Sequence, residues 1–422
     1  MAEPTEQLHF LTPAGFRAGG VYAGIKRKQT NDVGVLAVDD PRGAAAAAMF
    51  TANVVAAAPI LVGRVHVEAG RLRAIVINSG NANACTGRKG VEDAVSMCKL
   101  TSQLLGCETE DVLPSSTGII GHNLPMEKVY LGIRAAAADL GNDLAHAEAF
   151  NNAILTTDTR RKFAAAQFKV GRKTVTVTGI CKGAGMIGPR MIGPPGLRVG
   201  RAKAKRGAQG TMLAYLLTDA DVTGKQLQQV LSAATETTFN NVTIDNHTST
   251  NDTAVMLASG ASGAKVSEKK DFIKFAQAVE DVCESLARQI AADGEGATKL
   301  VTVVVKRGYD DQHARQIART IADSPLLKCA LHGNDPNWGR IVSAAGYSGA
   351  AFDPDRATCK LQGTVVFRNG TPVKFDPDAV SKSMAAPEVV IELDCRLNDG
   401  SATVWTCDFS KDYVTINADY HT

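Results

Sequence analysis

The chain has 422 residues, 45% hydrophobic and 21% charged, with a formal net charge of +3 at pH 7. These values describe a globular protein with one large core or two ordinary ones, and so small a charge gives no electrostatic argument for nucleic acid or a membrane surface as the main partner. No run approaches the ~18 apolar residues of a membrane span, and the first ten residues, with Glu3 and Glu6 and no early arginine, lack the composition of a secretory or transit peptide.

In chain order, residues 14–80 alternate short apolar runs with turns, and the runs at 35–38, 60–62 and 74–77 read as buried strands from their length and flanking turn residues. Apolar residues recurring at three and four predict helices at 90–106 and 126–140, and Val175 to Ile180 reads as another strand. Past the midpoint the pattern predicts a strand over 211–218, a helix over 224–236, and a long amphipathic helix over 271–292 with Phe272, Phe275, Val279 and Val282 on one face. A strand over 300–305 and a helix over 311–323 follow. The C-terminal quarter reads mostly as short strands, with turns at Asn369-Gly370 and Asp399-Gly400. Strands and helices mix without strict βαβ alternation, which fits an α+β layered sandwich better than a doubly wound sheet. Between Gly188 and Gly210 lie three prolines, six basic residues (Arg190, Arg198, Arg201, Lys203, Lys205, Arg206) and no acid, and Met-Ile-Gly-Pro repeats at 186–189 and 191–194. That stretch reads as an exposed loop.

The nine cysteines are odd in number and never form Cys-x-x-Cys, so they read as reduced structural thiols of a cytoplasmic protein. The histidines show no His-x-x-x-His spacing, and His-x-Glu at 66–68 and 146–148 lacks the Cys-x-x-Cys that zinc deaminases pair with it, so no metal site is expected.

Several polar motifs interrupt the apolar pattern. Asn78-Ser79-Gly80-Asn81-Ala82-Asn83-Ala84-Cys85-Thr86-Gly87 is a turn rich in left-handed conformers and free N–H groups, serving either as a tight turn or as part of a site. Cys85 within it reads as a core or wall residue. Ser116-Thr117-Gly118 sets a hydroxyl beside a glycine N–H, the donor types an oxyanion hole needs; a helix N-cap is the structural alternative. Lys182-Gly183-Ala184-Gly185-Met186 puts an ammonium on a glycine-rich turn, suited to a carboxylate or phosphate but without the Gly-Lys-Ser/Thr of a nucleotide loop. Glu295, between Gly294 and Gly296, is poorly placed for core packing and reads as facing solvent or ligand, or as part of a simple C-cap turn. Asp335-Pro336-Asn337-Trp338-Gly339-Arg340 reads as an anchor, with Trp338 burying area and Arg340 pairing with acids.

At the centre lies Gly210-Thr211-Met212-Leu213-Ala214. A threonine hydroxyl is a poor nucleophile without a base. Cutting the backbone just before it frees an α-amine, reference pKa ~7.7–8.0, beside the hydroxyl where it can act as that base. With the motifs on either side, this reads as a self-cleaving acyl-transfer enzyme.

These stretches, together with Ala57-Ala58-Pro59, Thr156-Thr157-Asp158-Thr159, Ser249-Thr250-Asn251-Asp252, Ala297-Thr298-Lys299 and Ile416-Asn417-Ala418-Asp419-Tyr420, follow in order over nearly the whole chain. In them the chain resembles the ornithine acetyltransferases, the bifunctional glutamate N-acetyltransferases of arginine biosynthesis. The resemblance implies an α+β fold, a four-layer α-β-β-α sandwich related to the amino-terminal-nucleophile folds. It implies a precursor that cuts itself between Gly210 and Thr211 into an α chain, 1–210, carrying a basic insert at about 190–208, and a β chain, 211–422. Thr211 is then the nucleophile, Thr117 and Gly118 form the oxyanion hole, and Thr156, Lys182, Thr211, Glu295, Asn417 and Thr422 bind substrate. The implied reaction is ping-pong: Thr211 takes acetyl from N-acetylornithine and passes it to glutamate, so that one difficult exchange becomes two easier steps. No metal or organic cofactor is implied, with acetyl-CoA as a second acetyl donor in bifunctional members. The implied partners are the small-molecule substrates, the two chains of one precursor, and a homo-oligomer of αβ units, with no nucleic acid and no membrane. The family pattern has a shorter link ending in Ala-Thr, and Asp-Gly-Asp-Thr where Asp245-Asn246-His247-Thr248 stands here. Two other readings follow from the residues: an amino-terminal-nucleophile aminopeptidase on the related fold, and an uncleaved pseudoenzyme.

Overall fold

A computed structural model describes residues 8–194 and 211–419, and among these the chain divides into two units. The first is built from residues up to 183 with 189–240 and 248–286, the second from 184–188, 241–247 and 287 onward. The division expected at 210/211 is one of cleavage and does not coincide with these units.

The strands of the first unit are β1 (Phe16–Val21), β2 (Val33–Val38), β3 (Ala44–Thr51), β4 (Arg71–Leu72), β5 (Ala74–Asn81), β6 (Val112–Ile119), β7 (Lys162–Val170), β8 (Lys173–Lys182), β9 (Met191–Ile192), β10 (Leu213–Thr218) and β11 (Thr253–Ala258). Its helices are α1 (Ala58–His66), α2 (Gly87–Leu105), α3 (Met126–Ala138), α4 (Leu144–Ile154), α5 (Gly224–Thr237) and α6 (Lys269–Ala292), the last running on into the second unit. One sheet has the order β1-β2-β5-β6; the other has β4-β3-β11-β10-β8-β7, with β9 on β3. Successive side chains of a strand face opposite ways, and here both ways are apolar. Leu36, Ile75 and Ile77 of the first sheet share one buried cluster with Ala46, Phe50, Ile180, Tyr215 and Val255 of the second. Val33, Val35, Ala74 and Val76 turn the other way, against Met97 and Cys98 of α2 and Val129 and Ile133 of α3. On the far side of the second sheet, a Cβ added to Gly179 would lie 2.8 Å from Leu286 and 3.0 Å from Val282 of α6. Gln228 of α5 exchanges hydrogen bonds with the Ala48 backbone at 3.2 and 3.1 Å. The layers are therefore helix, sheet, sheet, helix, as expected of an α-β-β-α sandwich.

The second unit holds β12 (Leu300–Gly308), β13 (Thr358–Leu361), β14 (Thr364–Arg368), β15 (Thr371–Pro372), β16 (Glu388–Asp394) and β17 (Gly400–Cys407), in the order β15-β14-β13-β16-β12-β17. Its helices are α7 (Asp311–Asp323), α8 (Pro325–His332), α9 (Trp338–Gly346), α10 (Pro377–Ser383) and α11 (Lys411–Asp419). In β16, buried Val389, Ile391 and Leu393 alternate with Glu388, Glu392 and Asp394, and they join Val301, Val303 and Val305 of β12 and Ile317 and Ile321 of α7 in one core. Asn369 and Gly370, with φ of 51° and 77°, make the tight turn between β14 and β15 in the left-handed conformation such turns require.

Four expectations need correction. Residues 60–62 lie in α1: Pro59 starts the helix, and Ile60 and Val62 are buried while Leu61 is exposed. A three-residue apolar run carries no period that could separate the two structures. Ser116-Thr117-Gly118 lies within β6 and caps no helix. Residues 190–194 are not wholly free, because the Ala52 N–H donates to the Arg190 carbonyl at 2.9 Å and buried Met191 pairs with Thr51 on β3; the rest of the 190–208 stretch lies outside the described residues. Trp338 stacks on Phe367 at 5.4 Å, but Arg340 donates to the Leu326 carbonyl at 2.6 Å and not to an acid, because the first turn of α9 aims it at the start of α8.

Phe150 of α4 ties these layers together. It stacks on Phe10 at 5.9 Å, meets Tyr215 edge-on at 5.8 Å, and fills the space over Gly34, where a Cβ would lie 2.9 Å from its ring. Phe150→Ala is expected to cost about 3–5 kcal/mol of stability, the usual penalty for emptying a buried aromatic site, read from urea unfolding midpoints; a loss below about 1 kcal/mol would mean the site collapses around the smaller side chain.

Candidate functional site

The site is built from strand register. β10 pairs antiparallel with β8, Leu213 opposite Lys182, and parallel with β11, Leu213 opposite Thr253. The end of β8 and the starts of β10 and β11 therefore coincide, bringing Lys182, Thr211-Met212 and Asp252 to one end of the sheet. From the other sheet, β6 brings Thr117. Lys182 is buried, and its Nζ lies 3.4 Å from Thr117 Oγ1 and 3.3 Å from the Thr211 carbonyl oxygen.

Gly118 follows Thr117 with φ of 130°, and a Cβ there would sit 2.3 Å from the Gly80 carbonyl carbon. Only glycine tolerates both the conformation and the approach. Beside it the β5–β6 register slips at Asn81. Buried polar groups brace this end: Ser116 Oγ donates to Asn78 Oδ1 at 2.6 Å, and Asn251 Nδ2 donates to the carbonyls of Ala82 and Ser116 at 2.8 and 2.9 Å.

Charge is concentrated here out of water. Asp158 accepts from Lys162 Nζ at 2.6 Å, from the Gly183 N–H at 2.7 Å and from the Thr156 N–H at 3.1 Å. Burial alone would raise the Asp158 carboxyl, but Lys162 and Lys182 hold it well below the usual carboxylate range. Burial lowers the Lys26 ammonium to about 8, with the like charge of Lys182 adding to the effect and Asp32 opposing it. Asp252 takes the Met212 N–H at 2.6 Å and the Ser249 N–H at 3.0 Å, yet burial pushes its carboxyl up to about 8. Ser249 Oγ donates to Thr211 Oγ1 at 3.0 Å.

Glu295 and Asn417 belong to the second unit, where Asn417 Nδ2 donates to Glu295 Oε2 at 3.0 Å. The Glu295 N–H donates to the Ala184 carbonyl at 2.7 Å, and a Cβ on Gly185 would lie 2.2 Å from the Glu295 carboxylate, so this approach depends on the second glycine of the Lys182 motif. Nearby, Asp245 accepts from the Ile187 N–H at 2.8 Å and from the Tyr413 hydroxyl at 3.4 Å. Burial raises the carboxyl of Asp245, and burial followed by the charges of Asp245 and Glu295 raises the phenol of Tyr413.

Of the residues singled out in the sequence, Thr117, Lys182 and Thr211 come together, Gly118 adjoins Thr117, and Thr156 is linked to Gly183 through Asp158. Glu295 and Asn417 meet each other, while Gly210 and Thr422 lie outside the described residues. Four residues were given no role from the sequence: Lys162, and Asp158, Ser249 and Asp252, which lie in stretches quoted only for the resemblance. Asp158 and Asp252 each lie in a run of small polar residues just before an apolar strand, a signal that marks them in retrospect. Lys162 carries none. Among the described residues, no three His, Cys, Asp or Glu side chains group as metal ligands, and no helix is long and apolar enough to cross a membrane. A hydroxyl, a glycine N–H and a buried ammonium around a threonine are equipped to bind an oxyanion or a carboxylate.

Comparison with known proteins adds three findings. A match to the ArgJ family covers residues 17–422. The arginine biosynthesis bifunctional protein ArgJ of Symbiobacterium thermophilum is 43% identical over 418 residues, 97% of this chain and 98% of that one, and its namesake from Geobacillus kaustophilus is 41% identical over 415 residues, 98% and 96% of the two chains. Among solved structures, ornithine acetyltransferase from Mycobacterium tuberculosis, complexed with ornithine, is 35% identical, with 44% of this chain and 96% of that one covered at a TM-score of 0.40.

The Asp252 carboxyl makes a prediction with a definite sign. Folded, it keeps its proton up to about 8, against a usual value of 3.8. The folded state thus binds that proton more tightly than the unfolded chain, and the resulting stability is complete below the lower value and is lost as pH rises towards the upper one. Asp252→Asn removes the titration while other groups cancel between the two proteins. The melting temperature of wild type minus that of Asp252→Asn should therefore fall from about pH 5 to about pH 8 and level off above it. A difference that is flat with pH would contradict a raised Asp252.

Proposed function

The chain belongs to the ArgJ family and is an acetyltransferase of arginine biosynthesis, and from that premise we propose that it moves an acetyl group from N-acetylornithine to glutamate through an acetyl ester on Thr211. The observation that supports this reading is the approach of Lys182 Nζ to both Thr117 Oγ1 and the Thr211 carbonyl, three residues to which the proposal gives the parts of cation, oxyanion donor and nucleophile.

The proposed sequence starts with maturation. Thr211 Oγ attacks the Gly210 carbonyl, the Gly210–Thr211 amide becomes an ester, and water cleaves it to leave an α chain ending at 210 and a β chain beginning with a free amine at 211. In transfer, that amine takes the Thr211 hydroxyl proton as Oγ attacks the acetyl carbonyl. The Thr117 hydroxyl and the Gly118 N–H receive the oxyanion. Collapse breaks the acetyl–nitrogen bond, the α-ammonium returns the proton to the departing ornithine amine, and the glutamate amine then attacks the ester by the same steps in reverse. Lys182 is proposed to pair with the negative charge of the substrate, while Thr156, Glu295, Asn417 and Thr422 complete the binding set on the resemblance alone. The reaction as proposed uses no metal or organic cofactor, with acetyl-CoA entering only as a second acetyl donor. A cytoplasmic homo-oligomer of αβ units is the proposed working form, and nine cysteines outside any disulfide suit that compartment.

Thr211→Ala is expected to yield a full-length, folded chain with no transferase activity, seen as one band near 44.4 kDa on a denaturing gel. Two fragments cut at 210/211 from that variant would sink the assignment. Lys182→Ala should fold, since Asp158 retains Lys162, but kcat/KM for N-acetylornithine should drop about 10- to 150-fold, the worth of a charge-assisted hydrogen bond. An unchanged kcat/KM would remove Lys182 from the site.

A further inference from the structure

Ser249 is fully buried, and its hydroxyl faces the one atom on which the proposed chemistry turns. Its Oγ lies 3.0 Å from Thr211 Oγ1 and accepts the Asn251 N–H at 2.7 Å. A hydroxyl has one proton and two acceptor pairs. With the N–H of Asn251 on one pair, its proton is left to point at Thr211, whose own proton stays free to go to a base.

The placement is rigid. The Ser249 N–H donates to Asp252 Oδ2 at 3.0 Å, and the other oxygen of that carboxyl takes the Met212 N–H at 2.6 Å. One side chain therefore grips both the residue next to the nucleophile and the residue that touches the nucleophile. Thr51 Oγ1 donates to the Ser249 carbonyl and closes the third side.

We infer that Ser249 is a catalytic residue that keeps a hydrogen bond on Thr211 Oγ through both half-reactions. This rests on the acetyl-transfer reading above. When Oγ attacks the acetyl carbon, its proton passes to the Thr211 amine and charge gathers on Oγ. When the glutamate adduct collapses, the Oγ–acetyl bond breaks and Oγ carries charge again until the amine returns the proton. Ser249 keeps its own proton throughout, and its bond strengthens as the partner becomes anionic, so it favours the transition states over the resting enzyme. A serine that merely filled its pocket would affect stability and leave the rates alone.

The test compares wild type, Ser249→Ala and Ser249→Thr as full chains allowed to process, with melting temperatures recorded for each. Two rates are followed: acetyl transfer from N-acetylornithine to glutamate, and acetylation of Thr211 by p-nitrophenyl acetate, read as released nitrophenolate and as added mass on the 211–422 fragment. The expected result is a drop of about 10- to 150-fold in both rates for Ser249→Ala, with KM for N-acetylornithine unchanged and recovery in Ser249→Thr. A folded Ser249→Ala that stays a single chain also supports the inference, because the same oxygen must attack Gly210. A processed Ser249→Ala that acetylates at the wild-type rate overturns it. If Ser249→Ala does not fold, Ser249→Thr decides: folded with the wild-type rate supports, folded with the rate lost overturns. Wild type that fails to transfer acetyl to glutamate refutes the acetyl-transfer reading instead, and the p-nitrophenyl acetate arm still reports on Ser249.

Discussion

The molecule's chemistry depends on one constraint, the double pairing of β10. Its antiparallel edge fixes where β8 ends and its parallel edge fixes where β11 begins. Lys182 and Asp252 are therefore placed by backbone hydrogen bonds and not by their side chains. A slip of one residue would turn every side chain of β10 to the opposite face and undo its present pairings with both β8 and β11. Lys182 comes within reach of Thr211 because the sheet core is apolar on both sides.

That arrangement buries charge, which folding ordinarily avoids. Lys162 and Asp158 are wholly shielded from solvent and offset each other, and Asp158 spends its remaining capacity on two backbone N–H groups around the Lys182 turn. Asp252 is treated differently. It has N–H donors and the more distant Lys182 but, among the described residues, no close cation, and its carboxyl is pushed upward where that of Asp158 is held down. Two carboxyls in one region with opposite shifts, beside a depressed Lys26, form the kind of concentration that marks functional sites. The fold accepts the cost here and compensates with the large apolar clusters on both faces of its sheets.

Much of this was legible in the sequence, for physical reasons that differ by element. α6 announced itself because apolar residues at three and four leave one face for the core, and β16 follows the two-residue alternation of a half-covered strand. β3 shows the opposite case. Its five consecutive alanines, Ala44 to Ala48, are strong helix formers by propensity, yet they form a strand because both faces are closed over. Tertiary burial decides there, whereas Ile60 to Val62 of α1 mislead for a different reason, being too short an apolar run to show a helical period. Among the candidate site residues, Thr117, Lys182 and Thr211 stand out in the sequence because each is a polar residue beside a glycine in an alanine-rich chain. Ser249 and Asp252 gain their meaning only from register, which a linear reading does not contain.

The grip of Asp252 on Met212 also bears on the proposal that the threonine at 211 serves as its own base. The proposed cleavage before 211 would sever only the bond on the amino side of Thr211. From Met212 onward the chain stays held, first by the Asp252 carboxyl and then by β10 on both edges. The Thr211 carbonyl is held as well, through Lys182. With the carbonyl and the following N–H both fixed, the amine that the proposed cleavage would free and the hydroxyl share a single Cα whose position would not depend on the link to residue 210. Only rotation at that one residue remains, and Ser249 restrains the hydroxyl. In the proposed mechanism the new terminus would therefore be preorganised, and the entropy of positioning a base against its nucleophile would be met by the sheet before any substrate arrives.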